Sequence, residues 1–123
     1  MAYIERERKL TINSDFVKVA EKSEIPVGMM KKVILNSKEI LIANVGDKFY
    51  AIGNKCTHAG GDLSKGTLDS NIITCPRHGS RFDVTTGKSI SGPKILFITL
   101  KAKDEPIFPV KVEGNDILIN LGR

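Results

Sequence analysis

Four side chains carry all the soft-ligand chemistry of this chain: Cys56, His58, Cys75 and His78, with no other Cys or His among the 123 residues. They form two clusters, Cys56-Thr57-His58 and Cys75-Pro76-Arg77-His78, separated by 16 residues. Each cluster offers one thiolate and one imidazole, ligands that suit iron or zinc. Gly60, Gly61 and Gly79 beside them let backbone approach closely, as a metal–sulfur centre with N–H donors to its sulfurs requires. A Cys56–Cys75 disulfide is disfavoured in a reducing compartment. Zinc also accepts two thiolates and two imidazoles. Its common spacings, however, pair Cys with Cys and His with His, and the pairs here mix the two.

Composition narrows the setting. The length suits one domain, with 41% apolar residues for a core and 27% charged residues for a soluble surface. Two Cys are too few for a disulfide scaffold. Apolar stretches are short: Ile95 to Leu100 spans six residues with Thr99 among them, against roughly 20 for a spanning helix. The first ten residues carry charges that preclude the apolar centre of a signal peptide, so the expected location is cytoplasmic, with no membrane partner. The net charge of +5 is dispersed and there is no Trp, which argues against nucleic acid and for an acidic protein partner.

The elements that must position the ligands read as strands. After a charged extension over residues 1–15, Phe16 to Ala20 opens a β pattern. Lys32 to Asn36, Glu39 to Val45 and Lys48 to Gly53 follow, separated by Asn36-Ser37 and by the hairpin signal Gly46-Asp47. Val110 and Val112 alternate with Lys111 and Glu113; Gly114-Asn115 then turns the chain into Ile117, Ile119 and Leu121. No window has a helical period. Seven of the eleven glycines lie from Gly53 to Gly92, which marks a loop-rich insertion with short strands at Ile72 to Cys75 and Ser80 to Val84 and a hairpin turn at Thr85-Thr86-Gly87-Lys88. Ile95 to Lys101 reads as a further strand and Lys103-Asp104-Glu105-Pro106 as a surface turn.

Cys56-Thr57-His58-Ala59-Gly60-Gly61 and Cys75-Pro76-Arg77-His78-Gly79-Ser80-Arg81-Phe82-Asp83 resemble the two boxes of the Rieske iron–sulfur family. Phe49 to Ile52 before the first box, and Thr85-Thr86-Gly87 and Ser91-Gly92-Pro93 after the second, extend the likeness over roughly residues 16 to 121. Among Rieske proteins the chain is most similar to the small soluble ferredoxins. The resemblance implies an all-β fold: an antiparallel β-sandwich or barrel base over residues 16–121, with a cluster-binding subdomain at about residues 54–93. It implies one 2Fe-2S cluster, with Cys56 and Cys75 on one iron and His58 and His78 on the other, more exposed iron. Replacing two thiolates by imidazoles makes the oxidised site less negative and raises its potential to about −150 to +300 mV, against roughly −400 mV for plant-type ferredoxins.

Departures from the high-potential Rieske proteins are informative. Those proteins bridge the loops with an additional disulfide, and here the corresponding positions hold Gly61 and Arg77. They also donate to cluster sulfurs from a Ser and a Tyr. Ser80 keeps the first donor, and Phe82 lacks the second. Each donor lost removes stabilisation of the more negative reduced state, so the expected potential lies in the lower half of the Rieske range.

With no His beyond the two clusters, the chain cannot also hold the mononuclear iron site of a Rieske oxygenase. The expectation is an electron-transfer protein and not an enzyme. It would pass single electrons from a ferredoxin reductase to a terminal oxidoreductase such as an oxygenase. From Lys55 to Lys94 six basic residues face three acidic ones, a local excess that favours docking on acidic surface. The extension over residues 1–15 and the segment 95–105 are where partner specificity would be sought. Two alternatives stand: a Rieske-like small subunit of a larger enzyme such as an assimilatory nitrite reductase, and a zinc-bound structural module.

Overall fold

Short runs of β-branched and aromatic residues, cut by Gly, Asn and Asp, favour strands joined by tight turns. The computed structural model is built that way and describes residues 15–57, 60–92, 94–95, 98–99 and 102–122. The expected extension therefore lies outside the described residues except for Asp15, and so do His58 and Pro93.

All strand pairing is antiparallel. One sheet orders β1 (Phe16–Glu21), β13 (Asp116–Asn120) and β12 (Val110–Glu113). A second orders β11 (Ile107–Phe108), β4 (Lys48–Gly53), β3 (Lys38–Val45) and β2 (Met30–Leu35). A third, smaller sheet runs β5 (Thr67–Asp69), β6 (Ile72–Thr74), β7 (Arg81–Asp83) and β8 (Ser89–Ser91). The hairpins of the second sheet turn through Asn36 and Ser37 (φ +52° and +66°) and through Gly46 and Asp47 (φ +60° and +70°). Two successive positive φ values match the right-handed twist of the strands they join.

The expected strand from Ile95 to Lys101 is corrected. Ile98 pairs with Ile95 and Thr99 with Lys94, so the run doubles back as β9 (Lys94–Ile95) and β10 (Ile98–Thr99). Apolar β-branched residues fit either arrangement, and the period alone cannot place a reversal. Among the described residues there is no α-helix, and no helix long and apolar enough to cross a membrane.

Strand β3 is the shared wall of two cores. Its side chains alternate between faces as the pleat requires. Ile40 and Ile42 join Phe49, Ala51, Ile117 and Ile119 in the core between the first two sheets. Leu41 and Ala43 face the other way, into a core with Ile52, Leu63, Ile73, Phe82 and Val84. Because both faces are covered, Ile40-Leu41-Ile42-Ala43 is an unbroken buried apolar run. The sulfur-bearing residues Cys56 and Cys75 belong to the second core, so the small sheet and the base jointly root the ligand loops.

Candidate metal centre

The first ligand loop leaves the end of β4 and the second leaves the end of β6. Their backbones follow one pattern. The Cys56 N–H donates to the Gly61 carbonyl (2.7 Å), and the Gly60 N–H donates back to the Cys56 carbonyl (2.9 Å). The Cys75 N–H donates to the Ser80 carbonyl (2.7 Å), and the Gly79 N–H donates back to the Cys75 carbonyl (3.1 Å). Gly60 and Gly79 occupy equivalent places at φ +71° and +79°, a conformation that any side chain would strain. Two short, separately encoded loops thus present their Cys residues in the same way.

The loops bring the two Cys residues together. Both are free and buried, and their thiols are near enough to influence each other. Burial pushes the Cys75 thiol above its ordinary value, and the adjoining Cys56 adds to this. Backbone N–H groups of Arg77 and His78 point at the same sulfur and pull in the opposite direction. Burial of this kind keeps the Cys75 thiol protonated until a metal ion displaces its proton. His78 lies on the exposed rim of its loop. Among the described residues, which leave out His58, no three Cys, His, Asp or Glu side chains converge on one point.

Ser80 is placed where a sulfur-rich group would use it. It is 1% exposed, and its hydroxyl has no hydrogen-bond partner among the described residues. A buried hydroxyl left unsatisfied costs about 1–3 kcal/mol, which an acceptor such as a sulfide or thiolate would recover. Close approach is built in as well. A Cβ at Gly61 would lie 2.7 Å from the Cys75 sulfur and 3.3 Å from the Arg77 Cβ. Gly61 and Arg77 therefore face each other across the loops, slightly closer than the Cβ atoms of a disulfide. Phe82, fully buried, supplies core rather than a hydroxyl. The donor set, the orphaned Ser80 hydroxyl and the tight cradle at Gly61 fit an iron–sulfur cluster.

Sequence reasoning missed three residues that hold the first loop. Asn54, fully buried at the end of β4, donates to Asp62 (2.8 Å) and to Glu39 (3.3 Å), and accepts from the Ser64 N–H (2.9 Å). Asp62 caps the short 3-10 turn Leu63–Lys65 and pairs with Lys32 of β2 at 3.1 Å. Burial alone would raise the Asp62 carboxyl. Hydrogen bonds from Ser64, Asn54 and Lys32 outweigh it and hold the group well below the usual carboxylate range. An Asp two residues before a Ser is a turn signal that could have been read; Asn54 carries none.

The third is Glu105, and it corrects the expected surface turn at Lys103 to Pro106. Lys103, Asp104 and Pro106 are exposed, but Glu105 is 4% exposed, with its carboxylate accepting from the Thr57 N–H at 2.9 Å. Charged neighbours gave it the composition of a surface segment, while pairing of β11 with β4 draws this one side chain inward.

Among the described residues, Lys55, Lys65, Arg77, Arg81 and Lys88 are exposed around the loops; of the three acidic residues in the stretch Asp69 is exposed, while Asp62 and Asp83 are partly buried in local hydrogen bonds. The excess of positive charge from the sequence is therefore presented outward.

Comparison with known proteins agrees with this geometry. A family model described as the Rieske [2Fe-2S] domain matches residues 15–98. The ferredoxin component of a naphthalene 1,2-dioxygenase system from Pseudomonas aeruginosa is 38% identical over 80% of this chain and 88% of its own length. The ferredoxin component of the naphthalene 1,2-dioxygenase/salicylate 5-hydroxylase systems of Ralstonia sp is 34% identical over 89% of this chain and 99% of its own. A chain in the solved complex of reduced oxygenase and oxidised ferredoxin of carbazole 1,9a-dioxygenase superposes with a TM-score of 0.75. It is 31% identical, over 88% of this chain and 94% of that one. With its two matched Cys loops on an antiparallel β base, the chain belongs to the Rieske [2Fe-2S] family.

Proposed function

We propose that Cys56, His58, Cys75 and His78 hold the one Rieske 2Fe-2S cluster of this chain, the thiolates on one iron and the imidazoles on the other. The observation that carries the assignment is the matched pair of loops, each rooting a buried Cys in the same core. The exposed His78 on the second loop supports placing the imidazoles at the outer iron. Residues 16–121 are read as one domain, with the ligand loops and the small sheet in a subdomain at about 54–93.

When bound, the cluster supplies a reversible one-electron couple. The chain's own residues set where that couple sits: the buried core shields the sulfurs, backbone N–H groups aim at Cys75, and His78 reaches the surface. The chain is an electron-transfer component rather than an enzyme. It carries single electrons to a terminal oxygenase of the aromatic-ring dioxygenase kind, as its relatives' names and their coverage support. A ferredoxin reductase supplies the electrons, the exposed basic residues dock on acidic partner surface, and the setting is cytoplasmic. Near-full coverage of a relative named as a ferredoxin component favours this carrier reading over a tightly held subunit.

Stopped-flow mixing of the reduced protein with an oxidised dioxygenase terminal component tests the reading. Bleaching or recolouring of the cluster should follow second-order kinetics that slow as salt is raised, because steering by charge is screened. A protein that stays reduced in the mixture, or that purifies only in stoichiometric complex with a large subunit, contradicts it.

A further inference from the structure

The two ligand loops differ at the residue directly after each Cys. In the second loop this is Pro76, whose ring fixes φ and removes the N–H altogether. In the first it is Thr57, which has a free φ and an N–H to be satisfied. That N–H donates to the Glu105 carboxylate at 2.9 Å, and the Thr57 hydroxyl donates to the Lys103 carbonyl at 2.7 Å. The partners lie 48 and 46 residues away along the chain.

Glu105 is itself held from two sides. Its N–H donates to the Gly87 carbonyl (2.7 Å), and the Gly53 N–H donates to the carbonyl of Pro106 next to it (2.9 Å). A Cβ at Gly53 would come within 2.8 Å of the Glu105 carboxylate, and one at Gly87 within 2.4 Å of its carbonyl oxygen. The segment 103–106 is thus seated in space that two glycines leave open, between the base strand β4 and the β7–β8 turn. Burying a carboxyl here is unfavourable, and burial pushes its pKa up to about 7 against the opposing Thr57 bond. An apolar side chain would fill the same space without that cost, but it could not accept from Thr57.

We propose that Glu105 is a positioning residue for the first ligand loop, its carboxylate restraining the Cys56–Thr57 peptide as Pro76 restrains the second loop covalently. The proposal rests on the reading that Cys56 and His58 bind the cluster. It adds a residue outside both boxes that sets how the first of them is presented.

The test compares Glu105→Gln, which keeps an acceptor, with Glu105→Met, which keeps the bulk and loses it. Two readouts are taken: hydrogen exchange of the peptide containing Thr57, by mass spectrometry on the proteins as purified, and the reduction midpoint of the cluster-loaded proteins. Glu105→Gln should retain the slow exchange of the native protein. Glu105→Met should exchange at Thr57 roughly tenfold faster or more, and its midpoint should depart from that of the Gln variant. In a Thr57→Pro background, which copies the second loop, the Gln and Met variants should become alike. Equal exchange and equal midpoints for Gln and Met in the native background would overturn the proposal. Exchange of Thr57 in the native protein as fast as in an open loop would also overturn it, even if Glu105→Met failed to fold. A native protein that binds no cluster would instead sink the ligand assignment and leave the exchange comparison standing.

Discussion

The two ligand loops share a backbone pattern but are secured by different means. The second is stiffened from within by Pro76 and carries the buried Ser80. The first has Gly61 in place of that Ser and is secured from outside, by Asn54 and Asp62 on one flank and Glu105 on the other. The same local geometry is reached by covalent stiffness in one case and by long-range hydrogen bonds in the other. A mutation in the second loop should therefore report on its own residues. The first loop should feel changes made far away in sequence.

Removing either sulfur tests what the loops have in common, and the effect should be the largest. Cys56→Ala and Cys75→Ala should each lose the visible colour and nearly all iron, because either loop alone offers only half of the ligand set. Iron retained by one variant and not the other would break the symmetry.

The next effect separates the loops. Gly61→Ala places a Cβ 2.7 Å from the Cys75 sulfur and should sharply reduce cluster occupancy. Ser80→Gly, at the equivalent place, should retain the cluster. Iron and sulfide content per chain decides between them, and equal tolerance would show that the cradle is not tight at Gly61.

Asp62→Asn probes the outside support of the first loop. It weakens the cap on the 3-10 turn and the Lys32 pair, at a cost of about 1–3 kcal/mol near neutral pH in urea unfolding. The Asp62 carboxyl titrates lower in the folded chain than its ordinary value of 3.8. Its stabilisation is therefore complete above that value and is lost as pH falls below it toward the folded pKa. The gap between native and variant should shrink through that acid range. A gap that is flat down to the most acid condition would remove the charge from the explanation.

The smallest shift concerns the second loop. Ser80→Ala should lower the reduction midpoint by tens of millivolts, about 59 mV being a tenfold change in a one-electron equilibrium. The sign follows because a lost donor disfavours the more negative reduced state. The substitution strands no other polar group among the described residues, where the Ser80 hydroxyl has no partner. An unchanged midpoint in spectroelectrochemistry would take Ser80 out of the site.

The inner features of both loops were legible in the sequence. Cys-x-His and Cys-x2-His mark the two loops in local order, and the alternation around Val110, Val112, Ile117 and Ile119 placed a strand pair in which Ile117 and Ile119 are buried as expected, while Val110 is only partly buried and Val112 is exposed. What escaped was the outside support. Asn54 reads as an ordinary polar residue after a strand, and its role exists only because Glu39 and Asp62 arrive beside it. Glu105 sits among charges and a proline, so composition assigns it to solvent. Only the pairing of Ile107 and Phe108 with β4 reveals that it turns inward. The doubling back of the run after Lys94 was hidden for a related reason, since uninterrupted apolar β formers carry no turn signal.

The central claim is that both loops together hold one histidine-ligated cluster. Iron and acid-labile sulfide analysis of the purified protein, combined with EPR of its dithionite-reduced form, tests this most directly. The expected result is two irons and two sulfides per chain, as the family's 2Fe-2S composition requires, with the EPR signature of a Rieske centre in the reduced state only. A colourless protein carrying zinc, or a reduced signal of the all-cysteine ferredoxin kind, would contradict it.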